Sequence, residues 1–196
     1  MQILALDLSL AATGVCRSDG TLETWTPPKG CRGVERLAWF VDALSDVLSP
    51  PESHAVPLPA SKMGAGAIQR PSGAQRPSQP VTLVVIEDLP HGLRNSAAGP
   101  LGELHGVIKL RLHDDLINTL LIPPATLKKY ATGRGNATKP DMRMELYKRT
   151  QLDLADDNQV DAWWLRALAL DHAGTPLLAM PATHRAALTK LAKDCS

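Results

Sequence analysis

The sequence predicts an α/β fold: a mixed five-stranded sheet with helices on both faces. Two observations lead there. Short apolar runs at 2–10, 81–86 and 119–122 are too brief for buried helices and read as core strands. After an N-terminal meander, strand and helical segments alternate, which suits a partly parallel sheet covered on two sides.

The elements follow in order. Residues 2–10 form the central strand. Residues 13–19 and 21–26 read as two further strands joined by a turn at Asp19-Gly20, with Thr13-Gly14 leading into the second. Leu37, Phe40, Val41, Leu44 and Leu48 then mark one apolar face of a helix. The stretch 49–80 holds seven Pro, three Gly and five Ser with little periodicity, so it reads as a surface insertion. Order returns with the strand 81–86 and a long helix whose face carries Leu101, Leu104, Ile108 and Leu112. The strand 119–122 stops at Pro123-Pro124, and a short helix follows. Residues 132–139 form a Gly-rich basic loop. Thr138 is placed to cap a helix over 140–149, with Pro140 in its first turn. A strong helix spans 156–171 and a last one about 182–194, after Pro181.

The bulk properties exclude several classes. The 196 residues carry a net charge of +1, with 44% hydrophobic and 21% charged residues, as an ordinary globular domain does. No stretch is apolar enough to span a bilayer, and the N-terminus lacks a secretion signal, so a cytoplasmic location is expected. Cys16, Cys31 and Cys195 are odd in number and lack paired spacing, which argues against a disulfide framework or a zinc site. His91, His105, His113 and His172 show no metal-ligand spacing either. One Phe and two Tyr leave little material for stacking single-stranded bases. Trp163 and Trp164, on a core helix, suit packing or a dimer contact.

The acids carry the chemistry. Asp7 ends the apolar part of the first strand and Glu87 that of the fourth. Asp157 and Asp161 stand one turn apart at the head of the 156–171 helix, on the face continued by Leu165 and Leu168. If strands one and four are neighbours, these carboxylates converge and repel unless a cation neutralises them. All-oxygen ligation suits Mg²⁺, with Mn²⁺ as a substitute. Two such ions roughly 3.5–4 Å apart would support hydrolysis of a phosphodiester. Each acid also has a plainer reading: Asp156 or Asp157 as a helix cap, Glu87 as a strand leaving the core. Asp7, between Leu6 and Leu8, is hardest to dismiss.

These residues resemble a known family. The segment "LDLSLAATG" is similar to the D-x-G/S-x-x-x-T-G opening of the RuvC-type Holliday-junction resolvases, which have a ribonuclease H-like fold. "VVIED" resembles their second strand acid and "LGELHGVIKLRL" the helix after it. "PPATLKKYATGRGNATKPDM" resembles their P-x-x-x-K-x-x-x-x-G-x-G-x-A-x-K segment, and "DDNQVDAWWLRALAL" their terminal D-x-x-D-A helix. The match spans about residues 1–172, a nuclease domain carrying the 49–80 insertion. It leaves 173–196 as a C-terminal helical extension.

The resemblance implies a homodimeric Mg²⁺-dependent endonuclease that nicks four-way DNA symmetrically. It implies Asp7, Glu87 and Asp161 as metal ligands. The fourth ligand is Asn158 by position, or Asp157 one residue earlier, which is favoured. Where the family commonly carries an aromatic residue after the second acid, this chain has Leu89, Pro90 and His91. These departures and the Pro-rich insertion suit a phage-encoded member, which would act in the host cytoplasm.

Between 123 and 150, Lys128, Lys129, Arg134, Lys139, Arg143, Lys148 and Arg149 face only Asp141 and Glu145, a local excess of five charges. Cations beside Gly133 and Gly135 suit contact with DNA phosphates, and Arg94 is a further candidate. The expected partner is branched DNA, with neither membrane nor small-molecule substrate. Three other readings stay open. One is a nuclease that cuts forks or flaps instead of four-way junctions. Another is a protein that binds junctions without cutting. The third is an actin-like kinase, whose phosphate loop shares D-x-S-x-x-x-T-G but whose fold needs a second domain and an adenosine-binding glycine motif.

Overall fold

A computed structural model describes residues 1–48, 80–89, 98–189 and 191. The 49–79 part of the predicted insertion, Pro90, His91, Arg94 and Cys195 lie outside the described residues. Five strands form one sheet: β1 (Ile3–Asp7), β2 (Thr13–Cys16), β3 (Leu22–Trp25), β4 (Leu83–Glu87) and β5 (Asn118–Ile122). Their order is β3-β2-β1-β4-β5. The first three strands are antiparallel neighbours, and β1–β4 and β4–β5 are parallel. The helices are α1 (Gly33–Leu48), α2 (Ala98–Asp114), α3 (Pro124–Thr132), α4 (Lys139–Thr150), α5 (Asp157–His172) and α6 (Ala182–Arg185). The predicted mixed five-stranded sheet with helices on both faces is therefore present.

Side-chain alternation decides which face each strand residue joins. Leu4, Leu6, Val84 and Ile86 pack with α1 and α2, among Phe40, Leu44, Leu104, Ile108 and Leu112. Ile3, Ala5 and Val85 pack with α3, α4 and α5, among Leu127, Leu146, Trp164 and Leu165. Odd-numbered residues of β1 and β4 thus face α5. Asp7 and Glu87 are the next odd positions. The parallel register ends at Leu6 opposite Ile86, so each strand's following residue is its acid.

Predicted and observed boundaries differ where local hydrogen bonds intervene. The first strand stops at Asp7, because the Thr13 hydroxyl accepts from the Ser9 amide (3.1 Å) and donates to the Ser9 carbonyl (3.0 Å), taking that backbone out of the ladder. Thr13 and Gly14 are not a turn; they open β2. Gly14 pairs with Asp7 and lies under the start of α5, where a Cβ would come within 2.0 Å of the Asn158 carbonyl oxygen. Only glycine fits there. Thr138 caps α4 as expected, its hydroxyl accepting from the Asp141 amide, and the Asp141 carboxylate completes a capping box by accepting from the Thr138 amide.

The last predicted helix is interrupted. α6 covers only Ala182–Arg185, and the Ala187 amide closes a tight turn on the His184 carbonyl (3.0 Å). The turn lets His184 meet the Tyr130 carbonyl (Nδ1 at 2.9 Å) while Arg185 pairs with the buried Asp171 carboxylate (2.9 Å). Tyr130 donates to the same carboxylate (3.1 Å), so the C-terminal segment is tied to α3 and α5. Trp163 and Trp164 are packing residues, edge-on to each other, and the Trp164 indole donates to the Met142 carbonyl (3.1 Å). His105 is buried, whereas His113 and His172 are exposed. Among the described residues no helix is long and apolar enough to cross a membrane.

Candidate active site

The parity of β1 and β4 and the entry of α5 bring three acids to one place. One carboxylate oxygen each from Asp7, Glu87 and Asp161 lies within 4.8 Å of the others. Asp161 is buried, Asp7 and Glu87 partly so. They stand in a cleft of about 280 Å³, lined also by Leu8, Asp88, Leu89, His105, Lys128 and Lys139.

The electrostatics follow from this crowding. Burial pushes Asp7 above the ordinary carboxylate range, partly offset by its hydrogen bond with Glu87 and by the charge of Lys139. Burial, then the charges of Asp7 and Asp161, push Glu87 up to about 9. Burial and Asp7 push Asp161 up to about 7, with Lys139 opposing. Burial and the crowding of like charges thus favour a proton shared within the Asp7–Glu87 pair. Groups that resist ionisation side by side are those that a divalent cation relieves, and an all-oxygen trio fits Mg²⁺ or Mn²⁺.

The head of α5 departs from the expected arrangement. Asp156, not Asp157, caps the helix, accepting from the Asn158 amide (2.9 Å) and from the Thr24 hydroxyl. Burial raises Asp156, but the hydrogen bonds from Thr24 and Asn158 outweigh it and hold the carboxyl below its usual range. Asp157, favoured as fourth ligand, is not gathered with the other three: the Arg143 guanidinium holds its carboxylate at 2.6 Å. Its charge still raises Asp161. The Asn158 side-chain amide donates to Asp156 (2.9 Å).

The cations divide as well. Lys139 lies 3.6 Å from Asp161, and Lys128 lines the cleft. Lys129 is partly exposed, and Arg134 is exposed at 3.5 Å from Asp141. Lys148 and Arg149 pair with Glu145. The glycines of the basic loop serve its own packing. Gly133 is the left-handed cap of α3 (φ +82°), and Gly135 presses on the Ala125 carbonyl. Sequence reasoning missed Asp88 and His105 as cleft residues. Only the i, i+4 step from Leu101 to His105 hinted that His105 shares the face pointing there.

No protein-family model matches the chain, and no curated protein matches it by sequence. Solved structures do match by fold. The Thermus thermophilus RuvC structure aligns with a TM-score of 0.57 and 14% identity, covering 89% of this chain and 98% of that one. T. thermophilus RuvC in complex with a Holliday junction substrate aligns with a TM-score of 0.60 and 15% identity, covering 89% and 97%. The chain shares the fold of these RuvC structures. This ribonuclease H-like sheet places β1, β4 and α5 as the sequence motifs require.

Proposed function

We propose that the protein is a structure-selective endonuclease that resolves four-way DNA junctions by metal-dependent phosphodiester hydrolysis. The observation that carries this reading is the Asp7–Glu87–Asp161 trio, three raised carboxylates within 4.8 Å where the carboxyl ends of β1 and β4 meet α5. Divalent cations held there would supply charge neutralisation and an activated water. Asp7, Glu87 and Asp161 would hold the ions, and Asp157 would be a further ligand if Arg143 bound a DNA phosphate instead. Lys128 and Lys139 face the cleft and would fix the scissile phosphate. Lys129, Arg134 and Arg143, with Arg94, would bind flanking phosphates.

The fold supports this, since one of its neighbours is RuvC in complex with a Holliday junction substrate. Symmetric nicking of two strands needs two trios, so we propose a homodimer. The test compares four-way junctions, forks, flaps and linear duplex under Mg²⁺. Preferential, paired nicking of four-way DNA is expected. Equal cutting of forks and flaps would move the substrate to branched DNA generally, and junction binding without cutting under Mg²⁺ or Mn²⁺ would leave a binding protein.

A further inference from the structure

The outer face of α4 has no role in that chemistry, yet it is unusual. Pro140, Met144 and Tyr147 lie at i, i+4 and i+7, all exposed, Met144 by 53% and Tyr147 by 45%. Together with Arg143, Asp153 and Asp157 they line a cavity of about 390 Å³. That falls in the range of small-molecule sites, roughly 300–1,000 Å³.

The lining has two halves. One is apolar: an aromatic ring, a thioether and a proline ring. The other is polar. The Arg143 Nη2 donates to Asp157 (2.6 Å) and to the Ala155 carbonyl (2.8 Å), which joins α4 to the head of α5 along this wall. The exposed Asp153 carboxylate has no ion-pair partner among the described residues. A flat heteroaromatic with polar groups along one edge matches both halves.

Position narrows the ligand further. α4 begins at Lys139, which ion-pairs with Asp161 of the trio. Asp157 belongs to the cavity wall and its charge acts on Asp161. The cavity therefore lies beside the cleft, where α4 meets the head of α5. The Asp153 carboxylate only accepts hydrogen bonds, so it favours a base that presents an amino group, which thymine lacks.

Resting on the nuclease reading above, we propose that this cavity is a nucleobase pocket. It takes one unstacked, amino-bearing base of the bound strand between Tyr147 and Met144, with the amino group on Asp153, and it disfavours thymine. Aromatic stacking makes such a pocket strong enough to measure.

The test is the binding of labelled oligo(dC) and oligo(dT) by fluorescence anisotropy, with chelator present so that no strand is cut. The parent should bind oligo(dC) about tenfold more tightly than oligo(dT). Tyr147→Ala should lower oligo(dC) to the oligo(dT) level, Tyr147→Trp should keep the gap, and Asp153→Asn should narrow it. Equal binding by the parent, or an unchanged gap in Tyr147→Ala, would overturn the pocket. The two readings fail separately. Uncut junctions with the gap intact remove the nuclease alone, and junction cleavage with no gap removes the pocket alone.

Discussion

The structure gathers Asp7, Glu87 and Asp161 and leaves Asp157 apart on Arg143, and under the proposed chemistry that difference is measurable. The first three share one spot, whereas Asp157 is neutralised by Arg143. Asp7→Asn, Glu87→Gln and Asp161→Asn should each lower the cleavage rate at least about 100-fold, and Asp157→Asn about tenfold, as outer groups around a metal do. Single-turnover rates on a four-way junction check this ordering. The raised carboxyls also predict a pH effect. An acid whose folded pKa lies above its unfolded value stabilises fully below the unfolded value and loses that stability as pH rises through the folded one. For Glu87 the window runs from the ordinary 4.5 to about 9, and for Asp161 from 3.8 to about 7. In chelator, resistance to urea should fall as pH rises from 5 to 9. Mg²⁺ should restore it at the alkaline end, and Glu87→Gln should flatten the dependence.

At the scale of elements, the packing of α5 on β2 is the contact that aims Asp161 at the trio. Gly14→Ala places a methyl 2.0 Å from the Asn158 carbonyl, so the helix start must shift. A loss of about 1–3 kcal/mol in urea denaturation is expected, together with a drop in cleavage. Removing the cap with Thr138→Ala should cost about 1 kcal/mol and unsettle Lys139 beside it. These elements were largely readable in the sequence. Apolar runs gave β1, β4 and β5, and Pro123-Pro124 and Thr138 gave the helix starts. The acids were readable because a carboxylate next to a fully apolar run needs a reason. What was not readable depends on partners distant in sequence. Arg143 is 14 residues from Asp157, and Thr24 is 132 from Asp156. No periodicity within α5 distinguishes its cap from a ligand. The break in α6 likewise follows from Tyr130 and Asp171, which fix His184 and Arg185 from outside the segment.

At the scale of the whole molecule, charge is distributed rather than abundant. The net charge is +1, yet α3, α4 and the loop between them carry Lys128, Lys129, Arg134, Lys139 and Arg143 beside the cleft. Five phosphate contacts would give a slope of about −4.5 in log affinity against log salt. Arg134→Ala and Lys129→Ala should each reduce that slope by about 1, leaving junction preference unchanged. The central claim is that the trio cuts what this basic border holds. It is tested by mapping strand cleavage on a mobile four-way junction with parent and Asp7→Asn, at matched binding and with Mg²⁺. The account predicts paired nicks by the parent, abolished by chelator, and a variant that binds the junction and leaves it whole. An Asp7→Asn protein that binds four-way DNA and cuts it as fast as the parent would contradict it.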